Sequence, residues 1–307
     1  MKGQRIVSLL PAATEMVYAL GIGDRLAGVT HECDFPSDAK SKPVVSRPSV
    51  NLAGMTIAEI DAAISARIAL GESIYEIDEL LLHELEPDLI VTQDLCRVCA
   101  PSGNELGRAL QSLKATPEVL FMSPHSMAGV QRNVIELSAA TGQEAAGDAL
   151  VAAAESRLEK VRTALRDAKG RPRVFCAEWV DPIFSCGHWL PEMVHIAGGF
   201  DGLGHPGEDS RRVSWSDVVA WAPEILIVTP CGFHLSGAVE QAWVLQSLPR
   251  WDELPAVKSG RVYAVDADAY FARPGPRIVD GTELLAHLIH PDVVSWSGVS
   301  DAYRRIA

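Results

Sequence analysis

The sequence predicts an α/β protein: two parallel-sheet α/β lobes joined by one long, rigid linker helix. Three observations predict it. Short apolar segments alternate with helical ones over residues 5–121, and the alternation resumes over residues 173–289. Between them, residues 126–169 are helical in composition throughout. The chain has 307 residues, 48% of them hydrophobic, which suits about two domains of ~150 residues each. The expected boundaries are an N-terminal lobe at 1–125, a helical linker at 126–169, a C-terminal lobe at 170–291 and a tail at 292–307.

The elements follow in order. Arg5–Leu9 is a short apolar strand, and Pro11 then opens a helix ending near Gly21 and Gly23. Arg25–Thr30 is a second strand. Thr56–Leu70 and Ile74–Leu85 carry helical periodicity. Leu89–Thr92 reads as a buried strand, Glu105–Leu113 as a helix and Glu118–Phe121 as a strand. In the linker, Leu150, Ala154, Leu158, Val161 and Leu165 recur at three- or four-residue spacing and form one apolar stripe. The second lobe reads as strand Arg173–Ala177, helices Pro191–Ala197 and Trp215–Trp221, strand Ile225–Thr229, helix Val239–Ser247, strand Arg261–Val265 and helix Pro276–Ile289. The tail carries no pattern.

Charge and composition exclude several classes. Lys and Arg number 27 against 40 Asp and Glu, a net charge of −13. Such a surface repels phosphate, so nucleic acid is not the expected partner. No apolar run is long enough to span a bilayer. The first residues, Met-Lys-Gly-Gln-Arg, lead straight into a strand without the apolar segment of a signal peptide. The expected location is therefore cytoplasmic, or periplasmic or extracellular if a leader has been trimmed. A monomer is expected.

Ligands of open α/β sheets bind beyond the carboxyl ends of the strands. The loops at those places hold His31-Glu32-Cys33, Gln93 to Ala100, Ser123-Pro124-His125, Glu178-Trp179, Cys186-Gly187-His188-Trp189, Pro230-Cys231-Gly232-Phe233-His234 and Asp268 to Arg277. Five of the six cysteines lie there, and only Cys176 falls inside a strand. Two lobes facing across one crevice would gather these residues into one site. Aromatic faces at Trp179, Trp189, Tyr270 and Phe271 suit stacking on a flat macrocycle, with Trp179 and Tyr270 expected to face the ligand and two of the four to be core. Arg273 offers a fork for an amide or phosphate oxygen, and Glu178 an acceptor. Pro11 opens a helix whose N-terminus can meet a polar group. Imidazole and thiolate favour cobalt, iron and zinc, so His31, His188, Cys33, Cys96, Cys99 and Cys231 are candidate metal-facing residues. Cys96-x-x-Cys99 can be a soft-metal pair, a redox pair or pocket-lining thiols, and inert thiols are the leading reading. No nucleophile elbow, phosphate loop or His-Glu-x-x-His is present, so no catalytic residue is assigned.

The stretch Ser8-Leu9-Leu10-Pro11-Ala12-Ala13-Thr14-Glu15, with Asp34-Phe35-Pro36, Pro87-Asp88-Leu89-Ile90, Gly198-Gly199, Pro223-Glu224-Ile225-Leu226-Ile227 and Phe271-Ala272-Arg273, resembles the substrate-binding proteins of cobalamin and iron-chelate ABC importers. The resemblance covers roughly residues 5–290. It is greatest to a cobalamin-binding subgroup that often lacks a leader, on His31-Glu32-Cys33, Gln93 with Cys96-x-x-Cys99, Glu178-Trp179, Gly187-His188-Trp189 and Pro230-Cys231-Gly232. It implies a class III periplasmic-binding-protein-like fold with little hinge motion. It also implies cobalamin or a related corrinoid as ligand between the lobes, touched by Pro11, His31, Glu32, Gln93, Glu178, Trp179, His188, Trp189, Tyr270, Phe271 and Arg273. An ABC permease would be the partner, docked through an acid on each lobe. Glu105 fits the first acid, and Asp217 stands where the second is expected. Two rival readings remain open on the sequence. One is a cytoplasmic thiol- or metal-dependent enzyme or metallochaperone that uses the cysteines on zinc or iron. The other is a binder of another chelate such as haem or a siderophore.

Overall fold

The structure, a computed structural model, describes residues 3–52, 54–70, 72–93, 104–111 and 113–307. It divides into two compact units: Met1–Pro124 with Gln131–Val151, and His125–Val130 with Ala152–Ala307.

Unit one is a six-stranded sheet of β1 (Ile6–Ser8), β2 (Leu26–Thr30), β3 (Val44–Pro48), β4 (Tyr75–Ile77), β5 (Leu89–Thr92) and β6 (Glu118–Phe121). The spatial order is β4-β3-β2-β1-β5-β6. Every pairing is parallel except β3 with β4. The helices are α1 (Pro11–Ala19), α2 (Ile57–Ala69), α3 (Glu79–Leu85) and α4 (Asn104–Gln111). β1 and β5 are buried at every residue, which is why they read as unbroken apolar runs. Val7, Leu9, Val45, Leu82, Ile90, Leu106 and Ala109 form one core cluster against that sheet.

The helical reading of 74–85 is corrected. Residues 75–77 are the antiparallel strand β4, and only Glu79–Leu85 is helix. The cause is local. The Ser73 hydroxyl accepts the Tyr75 amide at 3.0 Å, and the Asp78 side chain accepts the Leu81 amide at 2.9 Å, capping α3. α2 starts where expected because Thr56 and Glu59 form a reciprocal capping box.

The segment 126–169 forms two helices, α5 (Met127–Ala140) and α6 (Glu144–Ala164). The break falls at Gly142, whose φ of +67° suits a residue without a β-carbon. A β-carbon at Gly147 would sit 2.5 Å from that of Ser138, so the first turn of α6 lies tightly on α5. α6 has 21 residues, about 32 Å of helix. On its stripe Leu158 and Val161 are buried, and Leu150, Ala154 and Leu165 are half-buried. The helix starts in unit one and passes into unit two at Val151–Ala152. There Arg157 bonds both carboxylate oxygens of Glu283, at 2.9 and 2.6 Å, and Asp280 at 2.5 Å.

Unit two is a second six-stranded sheet, ordered β12-β11-β10-β7-β8-β9. Its strands are β7 (Val174–Val180), β8 (Ile183–Ser185), β9 (Arg211–Arg212), β10 (Ile225–Val228), β11 (Val262–Val265) and β12 (Tyr303–Arg305). Only β11-β10-β7 are parallel, and the outer strands on both sides run antiparallel. The helices are α7 (Leu190–Ile196), α8 (Trp215–Trp221), α9 (Leu235–Gln246), α10 (Pro255–Lys258), α11 (Ala267–Tyr270) and α12 (Ile278–Ile289). The patternless tail supplies β12, which adds to the edge of β11. Among the described residues no helix is long and apolar enough to cross a membrane.

Candidate functional site

In unit two the carboxyl ends of β7, β10 and β11 are tied together by their own loops. The Cys231 amide donates to the Glu178 carbonyl at 3.2 Å. The Gly232 amide donates to the Asp268 carboxylate at 3.1 Å, and the Arg273 guanidinium stands 3.6 Å from the other oxygen of that carboxylate. The Asp268 amide returns to the Phe233 carbonyl, and the Phe233 ring meets Trp179 at 5.9 Å between centroids. Gly232 makes this loop feasible: its φ is +83°. Arg273 is thus oriented by a buried carboxylate, with only 11% of its side chain exposed.

Glu178 is the acidic centre of the second half of this loop cluster. The residue keeps a partly exposed edge, yet burial of its carboxylate pushes its pKa up. The Ser210 hydroxyl opposes that shift by donating to it at 2.6 Å. The same hydroxyl accepts the Gly187 amide at 3.2 Å, so one serine joins β7 to the loop after β8. His188 follows with φ +53°, a left-handed backbone rare for a side chain of this size. Two backbone bonds hold it there: its amide to the Glu208 carbonyl at 2.6 Å, and the Gly207 amide to its carbonyl at 2.9 Å.

Trp179 is half-buried, and its indole N–H is buried without a hydrogen-bond partner among the described residues. Tyr270 is half-buried, edge-on to Phe271 and Trp296. The two core rings expected among the four are Trp189 and Phe271, and their place among the ligand-touching residues is corrected. Phe271 is 1% exposed and Trp189 7% exposed, and the Trp189 indole donates to the Phe271 carbonyl at 2.8 Å. These two rings are internal packing of unit two and offer no open face to a ligand.

In unit one, Pro11 occupies the first turn of α1 and is buried. Gln93 is buried directly after β5. His31, beside Glu32, follows β2, and its Nδ1 lies within bonding distance of the Thr30 hydroxyl and the Ser46 carbonyl, at 3.1 and 3.2 Å. Burial lowers its pKa, with Arg47 assisting against the Ser46 bond, so the neutral ring is favoured. His31 borders an open depression of ≈ 840 Å³ whose wall includes Arg47, Ser49, Asn51 and Leu52.

The cysteine expectations fare differently. Cys96 and Cys99 lie outside the described residues. Cys33 is buried with its Sγ 3.0 Å from the Thr14 hydroxyl, and Cys231 is half-buried. Among the described residues the side chains close enough to share a metal ion are His125, His188 and Asp209, with no cysteine among them. Glu105 lies in the first turn of α4. Asp217 is exposed, and its carboxylate is committed to capping α8 by accepting the Ser214 amide and hydroxyl at 3.2 and 2.6 Å.

Ser210 and Asp209 are the residues that sequence reasoning missed, and it names Asp268 only as the start of a loop, without a role. None stands in a motif. Each matters through a loop that returns to β7 or β10, and no local spacing signals that return.

Comparison with known proteins agrees with this architecture. An uncharacterised ABC-transporter substrate-binding lipoprotein of Bacillus subtilis is 28% identical over 300 residues, covering 94% of this chain and 81% of its own. A vitamin B12-binding protein of Vibrio cholerae is 27% identical over 284 residues, covering 91% and 87%. Among solved structures, a periplasmic haem-binding protein of Roseiflexus in its apo form superposes with a TM-score of 0.71 at 20% identity, covering 95% of this chain and 99% of its own. That likeness shows the fold. These relatives are binding proteins rather than enzymes, and their names do not support a cytoplasmic location. The family pattern described as Periplasmic binding protein matches residues 6–269, and the chain belongs to that family.

Proposed function

We propose that this chain is the substrate-binding component of an ABC-type uptake system and that its ligand is cobalamin or a related corrinoid. The observation that carries the proposal is the loop cluster of unit two. Trp179 and Tyr270 supply aromatic surface, Arg273 a pre-oriented cation and Glu178 an acceptor; Glu178 and Trp179 are among the last three residues of β7, and Tyr270 and Arg273 follow β11. A corrinoid combines a broad apolar ring with a rim of amides and a phosphate, which is the chemistry this set addresses. The vitamin B12-binding relatives support the same ligand class. Pro11, His31, Glu32 and Gln93 are the contributors proposed from unit one. Delivery to a permease would use the acids at Glu105 and Asp217, and the protein would act outside the cytoplasm.

Titration with cyanocobalamin, haemin and a ferric siderophore tests this reading. Cobalamin at micromolar concentration should quench tryptophan fluorescence and raise the melting temperature. At a hundredfold excess over Kd the added stability is about 2.7 kcal/mol. A response to haemin or siderophore without one to cobalamin would sink the corrinoid assignment and leave chelate binding standing.

A further inference from the structure

We propose that unit two carries a divalent metal site of the zinc class, formed by His125, His188 and Asp209. One ligand atom from each lies within 4.8 Å of the others. His188 Nε2 and Asp209 Oδ1 are already 3.2 Å apart. That is close to the spacing of two ligands on a tetrahedral ion with bonds of about 2.0–2.2 Å. The His125 and His188 rings lie 5.6 Å apart between centroids. His125 is exposed, so rotation of its side chain can bring in the third ligand.

The backbone fixes the other two ligands. His188 and Asp209 sit on two stretches, one before and one after α7, clamped together around them. The His188 amide bonds the Glu208 carbonyl, the Gly207 amide bonds the His188 carbonyl, and the Gly187 amide bonds the Ser210 hydroxyl. Gly187 permits the clamp, because a β-carbon there would strike the Glu208 carbonyl. His125 is placed by the start of α5, where the Met127 amide donates to Glu192 of α7 at 2.9 Å and the Gly129 amide to the Ser126 hydroxyl at 3.1 Å. Two imidazoles and one carboxylate suit zinc or cobalt(II) over calcium or magnesium, which prefer all-oxygen sets. Three protein ligands leave a coordination position open, as in zinc sites that hold an exchangeable fourth ligand. This site does not rest on the corrinoid reading, since it needs no macrocycle.

The test uses the full chain with Cys96→Ser and Cys99→Ser, so that thiolates at that pair cannot mask the result. After chelator treatment, and with no corrinoid or haem present, the protein is titrated with Zn²⁺ by calorimetry and with Co²⁺ by visible absorption. The expected result is one equivalent bound at micromolar concentration, with a Co²⁺ spectrum lacking thiolate charge transfer. His125→Ala and Asp209→Asn, both at exposed positions, should each weaken binding at least tenfold while leaving the melting temperature of the metal-free protein unchanged. His188→Asn, which tolerates the left-handed backbone, should do the same for binding. Binding that is unaffected by His125→Ala and Asp209→Asn, or that appears only at millimolar metal, overturns the site.

Discussion

The Ser210 hydroxyl donates to the Glu178 carboxylate at 2.6 Å, and this bond partly offsets the burial that drives the Glu178 pKa upward. The direction fixes the sign of its linkage to folding. A carboxyl whose pKa is raised in the folded state contributes stability below the ordinary carboxylate value. It loses that contribution as pH rises through the raised value. Glu178→Gln removes the titration and keeps the shape. The melting temperature of the variant relative to the parent should therefore climb as pH goes from acid to neutral. Ser210→Ala should push the Glu178 pKa further up, read by the carboxyl resonance in NMR. An unmoved resonance would separate the two residues energetically.

Asp201 has the same sign and a clearer window. Burial lifts its pKa from the ordinary 3.8 to about 6, against the Gly204 and Leu203 amides that bond one of its oxygens at 2.8 and 3.1 Å. The stabilising effect of the protonated form is complete below about pH 4 and fades towards pH 6, by roughly 2–3 kcal/mol in all. Asp201→Asn keeps the acceptor for both amides and cannot ionise. Denaturant midpoints of parent and variant should converge at acid pH and separate in favour of the variant as pH rises through 6. Parallel profiles would show that Asp201 titrates normally.

The strand–helix alternation was legible because buried parallel strands must be apolar on both faces. Leu89–Thr92 and Ile225–Val228 announced themselves that way. Helices with strong caps were legible for the same local reason, as at Thr56 and Ser214. Edge strands were not. Tyr75–Ile77, Arg211–Arg212 and Tyr303–Arg305 take their conformation from a neighbouring strand, and only the folded chain supplies it. The candidate site divided along the same line. Glu178, Trp179 and Arg273 stand beside strand ends and could be named. Ser210, which bonds Glu178, lies 32 residues away on another segment, and Asp268, which faces Arg273, lies five residues away in the same stretch with nothing local to signal the pairing. The metal reading named His188 but grouped it with the cysteines, because Cys96-x-x-Cys99 has a spacing, whereas His125, His188 and Asp209 are separated by 63 and 21 residues.

Arg157 anchors α6 to α12, and the geometry predicts which substitution matters. Its guanidinium grips Glu283 with two bonds and Asp280 with a third. All three side chains are about one-third exposed, so solvent screens the pair and the gain is modest. Arg157→Ala should cost about 1–2 kcal/mol, and Arg157→Lys most of that, since an ammonium cannot make the two-pronged contact. A double-mutant cycle with Glu283→Gln measures the coupling. A coupling near zero would mean that the bonds form without holding the helix.

Trp189 and Trp179 both stand among the candidate ligand-touching residues, and the structure separates them. Trp189 is 7% exposed and its N–H is bonded to the Phe271 carbonyl at 2.8 Å. Trp189→Phe leaves that carbonyl without its donor and shrinks a packed side chain. The loss should be about 1–3 kcal/mol of stability with ligand affinity retained at temperatures where the variant stays folded. Trp179 has an N–H with no such bond, and its ring meets Phe233 among the loops. Trp179→Phe therefore leaves no acceptor unpaired, and its stability cost is limited to lost ring volume. Its effect should fall on binding, because the proposed ligand loses aromatic surface worth about 0.5–1.5 kcal/mol, or a weakening of roughly two- to tenfold. Parallel melting curves and cobalamin titrations on the two variants check this. If Trp189→Phe weakens cobalamin more than Trp179→Phe does, the assignment of the two tryptophans is reversed.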